Sequence, residues 1–137
     1  MPEKRTIQRA RKDKREGKSP STQAGEFVRE EIHHVREGKH GARSAKQAIA
    51  IGLSKARRAG VRLPPPARGK KSTKQQAARD VRKGRTQRGR KASPRRSRAT
   101  LGALKKEGRA AASRTALARQ ARRSRTTSRR SSGSRKK

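Results

Sequence analysis

Arginine and lysine are the residues of this chain best placed to do chemistry, and that chemistry is the neutralisation of phosphate. Lys and Arg number 44 against 9 Asp and Glu, a formal net charge of +35. The excess is unevenly placed. Residues 1–66 carry 17 basic and 7 acidic side chains, and residues 67–137 carry 27 and 2. Duplex DNA has one charge per about 1.7 Å of axis, so the excess in the second stretch matches the phosphates of about 12 base pairs. Such contacts release counterions and give affinity without reading sequence. Arginine adds bidentate phosphate bonds and minor-groove insertion. The side chains expected to carry this are Lys55, Arg57, Arg58, Lys70, Lys71, Arg90, Lys91, Arg95, Arg96, Arg98, Arg119, Arg122, Arg123, Arg129 and Arg130.

Other chemistries find little support. "SPRR" at Ser93–Arg96 suits a proline turn that presents two guanidiniums to a groove. Base reading lacks its usual tools: the chain has no Asn, and Gln47 fits a helix cap better than a base edge. Stacking on RNA bases lacks a platform, since Phe27 is the one aromatic residue. His33 and His34 are neighbours and point about 100° apart on a helix. With Glu30 and Glu37 within a turn, they read as surface histidines beside carboxylates, and no metal site is expected. "RGKKST" resembles the end of a phosphate loop, but the upstream glycine would fall at Pro64 or Pro65, and no strand precedes it. There are no cysteines, no nucleophile elbow and no convergent carboxylate pair. No enzyme activity and no cofactor are expected.

The elements that must position these cations are short. Hydrophobic residues make up only 26% of the chain, the signature of a polycation with a small core and much disorder. Of 15 large apolar residues, nine lie between Phe27 and Leu63. Val28, Ile32 and Val35 recur at helical spacing after a cap at Ser21 or Thr22, and Gly38 and Gly41 allow a turn. Ser44 and Gln47 have capping-box spacing. Behind them Ala45, Ile49, Gly52, Leu53 and Ala56 share a face, and small residues at 45, 48, 52 and 56 admit another helix closely. "PPP" at 64–66 ends the helical run. The expected fold class is mostly α with extensive disorder, a helix–turn–helix hairpin followed by a basic low-complexity tail with transient helices. The expected divisions are a basic N-terminal arm at 1–20 with no face to bury, the hairpin at 21–63, a Pro-rich linker at 64–71 and the tail at 72–137. Within the tail, "STKQQAARDVRKG" repeats the cap spacing at Ser72 and Gln75, and Leu101, Leu104 and Leu117 mark further helical patches. So small a hairpin is marginal alone, which makes a homodimer through 21–63 an expected partner.

The stretch "TIQRARKDKREGKSPSTQAGEFVREEIHHVREGKHGARSAKQAIAIGLSKARRAGVRLPPP" resembles a family of small basic bacterial proteins of uncharacterised domain type, and "SPRRSRATLGALKKEGRAAASRTALARQAR" resembles its C-terminal segment. Its members are commonly labelled DNA-binding or plasmid-stabilisation proteins, and the family brings no catalytic residues. The final "RRSRTTSRRSSGSRKK" is similar in composition to bacterial linker-histone-like tails. The resemblance implies a bacterial source and a nucleoid setting. Together with the residues it leads to an expectation of a nucleoid-associated, histone-like protein bound to duplex DNA through phosphates. The alternatives are an RNA- or ribosome-associated structural protein and a plasmid-stabilisation-type regulator. No membrane partner is expected: the longest apolar run, "AIAIGL", is far short of the roughly 20 residues of a span. The N-terminus has no apolar signal-peptide segment, which places the chain in the cytoplasm by expectation.

Overall fold

The computed structural model describes residues 3–86 and 93–134, with side chains for 3–86 and 93–126. The described residues form six α-helices and a short 3-10 turn, with no strand among them: α1 (Lys4–Arg15), α2 (Pro20–Glu37), α3 (Ala45–Arg58), α4 (Lys71–Thr86), α5 (Pro94–Lys105), the 3-10 turn (Ala110–Ala112) and α6 (Arg114–Ser134). Among them no helix is long and apolar enough to cross a membrane.

Local chemistry explains the helix ends. The Thr22 N–H donates to Ser19 Oγ at 3.3 Å, and Pro20 occupies the first helical position. The start of α2 therefore lies before the expected Ser21 or Thr22, because proline needs no N–H partner there and its φ suits a helix. Gly38 ends α2 in the left-handed region at φ 79°. At α3 the Gln47 N–H donates to Ser44 Oγ at 3.2 Å, and Gln47 Oε1 accepts from the Arg43 N–H at 2.6 Å, one residue before the cap. Ser72 is not a cap, since α4 begins at Lys71. Ser93–Pro94 opens α5 instead of forming a groove-presenting turn, with Pro94 in its first turn.

α2 and α3 pack along their length through the small face of α3. Ala45, Ala48, Gly52 and Ala56 are buried there. A Cβ on Gly52 would stand 2.6 Å from Val28 Cα, so glycine at this position sets how closely the helices approach. One apolar cluster joins Ala10 of α1, Ala24 and Phe27 of α2, Ala56 of α3 and Val61, with Ile7, Leu53 and Leu63 against it. A second joins Val35, Ala42 and Ala48 to Ala111 and Ala112, with Ile32 alongside.

Two expectations are overturned here. The N-terminal stretch buries a face after all: Thr6, Ala10 and Asp13 are turned inward in α1. Its stripe is built from small and polar side chains that hydropathy does not register. The described residues are also well packed rather than extensively disordered. Residues 104–112 dock on the α2–α3 turn: the Gly41 N–H donates to the Leu104 carbonyl at 2.8 Å, the Ala42 N–H to Gly108 at 3.0 Å, and Arg36 Nε to Ala112 at 2.9 Å. α4 lies on α3 with Ala77, Asp80 and Gly84 buried. α1 thus covers Phe27 and Ala56, and Ala111–Ala112 cover Val35 and Ala48. Among the described residues α5 has no buried residue and no helix against it, reaching the α2–α3 turn only through Leu104, and its Leu101 is 40% exposed.

Candidate nucleic-acid interface

Among the described residues the expected cations fall into two environments. Those of α3 pair with acids and carbonyls of the helical body, Arg58 from its exposed surface. Lys55 Nζ donates to Glu31 Oε1, and Glu31 is fully buried. Arg57 is buried and donates from Nε to the Leu63 carbonyl at 3.3 Å and from an NH2 group to that of Pro64 at 3.1 Å. Burial pushes its guanidinium down from its ordinary pKa, with Asp80 acting the other way. Arg58 Nε donates to Asp80 Oδ1 at 2.8 Å, alongside Ser54 Oγ on Oδ2 at 2.8 Å and Gln76 Nε2 on Oδ1 at 3.2 Å. Asp80 is 1% exposed, so this network satisfies a buried carboxylate.

The remaining cations face solvent. Lys70 and Lys71 are exposed at the start of α4, Arg95, Arg96 and Arg98 on the first turns of α5, and Arg119, Arg122 and Arg123 on α6. Arg90 and Lys91 lie outside the described residues, as do the side chains of Arg129 and Arg130, whose backbone belongs to α6. Residues 67–137 contain only Asp80 and Glu107 as acids. Arg58 engages the first, and Arg43 Nε stands 3.9 Å from Glu107 Oε1. Both acids are thus taken by arginines from the first half of the chain. Among the described residues Arg95, Arg96, Arg98, Arg119 and Arg122 have no carboxylate partner.

None of the expected phosphate-binding cations lies on α1, although the stretch reads as a basic arm and its outer face carries Lys4, Arg5, Arg9, Arg11, Lys12, Lys14 and Arg15, all exposed. The available signal was the spacing of Thr6, Ala10 and Asp13 at i, i+4 and i+7, which puts every Lys and Arg on the other face. A shallow cleft of about 430 Å³ between Arg36, Arg109, Ala112, Ser113 and Arg114 also had no sequence signal, because it forms only where α2 meets the 3-10 turn.

The histidines divide as well. His33 is exposed with Nε2 3.4 Å from Glu37 Oε1, as its sequence neighbours suggested. His34 and His40 instead converge. His34 Nε2 is 3.1 Å from Glu3 Oε1, its Nδ1 is 3.9 Å from Glu31 Oε1, and His40 Nε2 is 3.1 Å from Glu31 Oε2. The turn at Gly38–Ser44 returns His40 to the helix that carries Glu31, a closure the helical spacing of 33 and 34 could not reveal. The hydrogen bond with His34, and then Lys39, hold the exposed Glu3 carboxyl below its ordinary pKa. Glu31, His34 and His40 form a group of residues that could hold a metal ion, and Glu3, Glu30 and His34 form another.

Residues 11–71 match the model of a family of unknown function, DUF6496. The matched stretch contains α2, α3 and the Glu31–His34–His40 group, and stops at the first residue of α4. No curated protein and no solved structure matches the chain.

Proposed function

We propose that this chain is a nucleoid-associated, histone-like protein that binds duplex DNA mainly through its phosphates and compacts or bridges it. The observation that carries the reading is the separation of charge. Asp13, Glu30, Glu31 and Asp80 are buried, while the arginines of α5 and those of α6 as far as Arg125 are exposed, and Arg58 and Arg43 stand against the two acids of their half of the chain. Burying acids leaves the surface more cationic than the composition. Two arginines in the first turn of α5, where the helix dipole already presents positive charge, are mutually unfavourable until an anion arrives. Phe27 is 1% exposed, so the only aromatic ring is withheld from base stacking, which favours a duplex over a single strand.

The test is a salt titration of the full chain against duplex DNA, duplex RNA and anionic vesicles. The reading expects strongest binding to DNA, little dependence on base sequence, and log K falling steeply with log salt. Truncation to residues 1–66 is a poor control, because it removes the segment that covers Val35 and Ala48. Charge removal on α5 is the better one. Preference for RNA would move the protein to the ribosome- or RNA-associated class. Discrimination among DNA sequences by full chain and α5 variant alike would support the regulator.

A further inference from the structure

Glu31 is fully buried at the centre of a polar group that phosphate binding does not use. Its surroundings can be read proton by proton. The Glu3 carboxylate is an acceptor in its contact with His34. It has no proton to give, so in the 3.1 Å contact His34 Nε2–H is the donor, and in the neutral ring Nδ1 is left bare. The Gly41 carbonyl likewise only accepts, so His40 Nδ1–H donates to it at 2.9 Å and Nε2 is left bare. Both nitrogens face the Glu31 carboxylate, His34 Nδ1 at 3.9 Å from Oε1 and His40 Nε2 at 3.1 Å from Oε2. Lys55 occupies Oε1 of Glu31, while Oε2 has no hydrogen-bond partner despite the proximity of His40. With both rings neutral, Glu31, His34 and His40 each turn a lone pair toward one small space, their ligand atoms within 4.8 Å of one another.

We infer that Glu31 Oε2, His34 Nδ1 and His40 Nε2 form a binding site for a divalent transition-metal cation of the zinc kind, with a fourth position for water. Donors about 2.0–2.1 Å from a tetrahedral zinc lie ~3.3 Å apart, and the Glu31–His40 contact is already 3.1 Å. The two imidazole rings stand 6.0 Å apart at 83°, open enough to share an ion. Two imidazoles and one carboxylate suit zinc, cobalt or nickel better than magnesium or calcium, which take oxygen ligands. Each histidine also has its second nitrogen anchored, by Glu3 and by the Gly41 carbonyl, as metal-bound histidines usually do. The bound cation pins α2 to the turn whose Gly41 and Ala42 hold residues 104–108, so it stabilises the docking of the second half of the chain. This inference is independent of the DNA-binding reading.

The test uses the full chain, stripped with chelator, titrated with Zn²⁺ by calorimetry and with Co²⁺ by visible absorption. One equivalent of Zn²⁺ should bind, Co²⁺ should give the intense bands of a tetrahedral site, and the melting temperature should rise with metal. His34→Gln and His40→Gln should abolish the event, and His33→Gln, on the exposed side of the same helix, should leave it intact. Glu3→Gln should weaken it roughly 10–100-fold. Lys55→Met should tighten it, since an ammonium on the same carboxylate competes with the metal; a cluster serving only as an ion pair would instead lose stability and gain no metal affinity. The Co²⁺ spectrum of the unaltered chain needs no variant to fold. Absence of a stoichiometric event there, or weak binding that survives His40→Gln, overturns the inference.

Discussion

Lys55, Arg57 and Arg58 of α3 and Arg95, Arg96 and Arg98 of α5 look alike in the sequence, yet the fold gives them opposite roles. The α3 cations satisfy buried carboxylates and carbonyls: Glu31, Asp80, Leu63 and Pro64. Those of α5 face solvent on a helix that packs against no other. A basic residue is available to an external anion only when no internal one claims it. On the proposed reading, the exposed cations of α1 are better placed to meet an external anion than Lys55 and Arg57 of α3. The comparison can be broken from either side.

The largest effect should come from the internal side. Asp80→Ala removes an acceptor shared by Ser54, Arg58 and Gln76 and leaves a void where α4 meets α3. Loss of about 3 kcal/mol of unfolding free energy is expected, read by denaturant titration. DNA affinity measured where the variant is still folded should hold or rise slightly, because Arg58 is released. A marked fall in affinity with unchanged stability would mean that α3 is itself the interface.

Gly41→Val tests the joint between the two regions. A side chain there meets the backbone carbonyl of Glu107, which cannot swing aside as a flexible side chain would. About 2 kcal/mol of destabilisation is expected, together with faster proteolysis in residues 104–112. Unchanged protection of that segment would show that its docking on the α2–α3 turn is not holding it.

On the external side, Arg95→Ala, Arg96→Ala and Arg98→Ala together should change stability by less than about 0.5 kcal/mol, as exposed residues away from any network do. If all three touch phosphates, the slope of log K against log salt should fall by about 2.7. An unaltered slope would leave the α5 arginines as solvated surface and direct attention to α1 and the Arg36–Arg109–Arg114 cleft.

The parts of this division that the sequence displayed were those carried by spacing. Alanine and glycine at 45, 48, 52 and 56 announced the close helix pair, and Ser44 with Gln47 announced the start of α3. The rest depended on contacts between distant segments. Ile7 and Ala10 became core only because Phe27 and Ala56 lie opposite them. Ala111 and Ala112 looked like low-complexity filler until Val35 and Ala48 gave them something to cover. The same limit hid the chemistry. Glu31 reads as one more acid on a charged helix, and only the return of His40 from the turn, six residues beyond His34, makes it the centre of a site. Low hydropathy misled about order for a related reason: alanine, glycine and paired charges can fill a closely packed helical interface with few large side chains.

The smallest effect separates the regions by pH. Glu3 sits at the entry to α1, where His34 Nε2 at 3.1 Å and Lys39 Nζ at 3.5 Å face its carboxylate and its own N–H donates to Glu30 Oε1 at 2.6 Å. Its pKa in the folded chain is depressed, chiefly by the His34 hydrogen bond. A depressed carboxyl contributes stability above its unfolded pKa and loses it as the pH falls through the folded value. Protection against hydrogen exchange in the first turn of α1, measured against the intrinsic rate, should therefore fall on acidification, while that in α5, which has no acid in it, should not change with pH. Glu3→Gln should flatten the acid limb at α1 and leave α5 as it was. Equal pH dependence in both helices would show that the N-terminal ion pairs do not hold α1 in place, and that its packing rests on the face of Thr6, Ile7, Ala10 and Asp13.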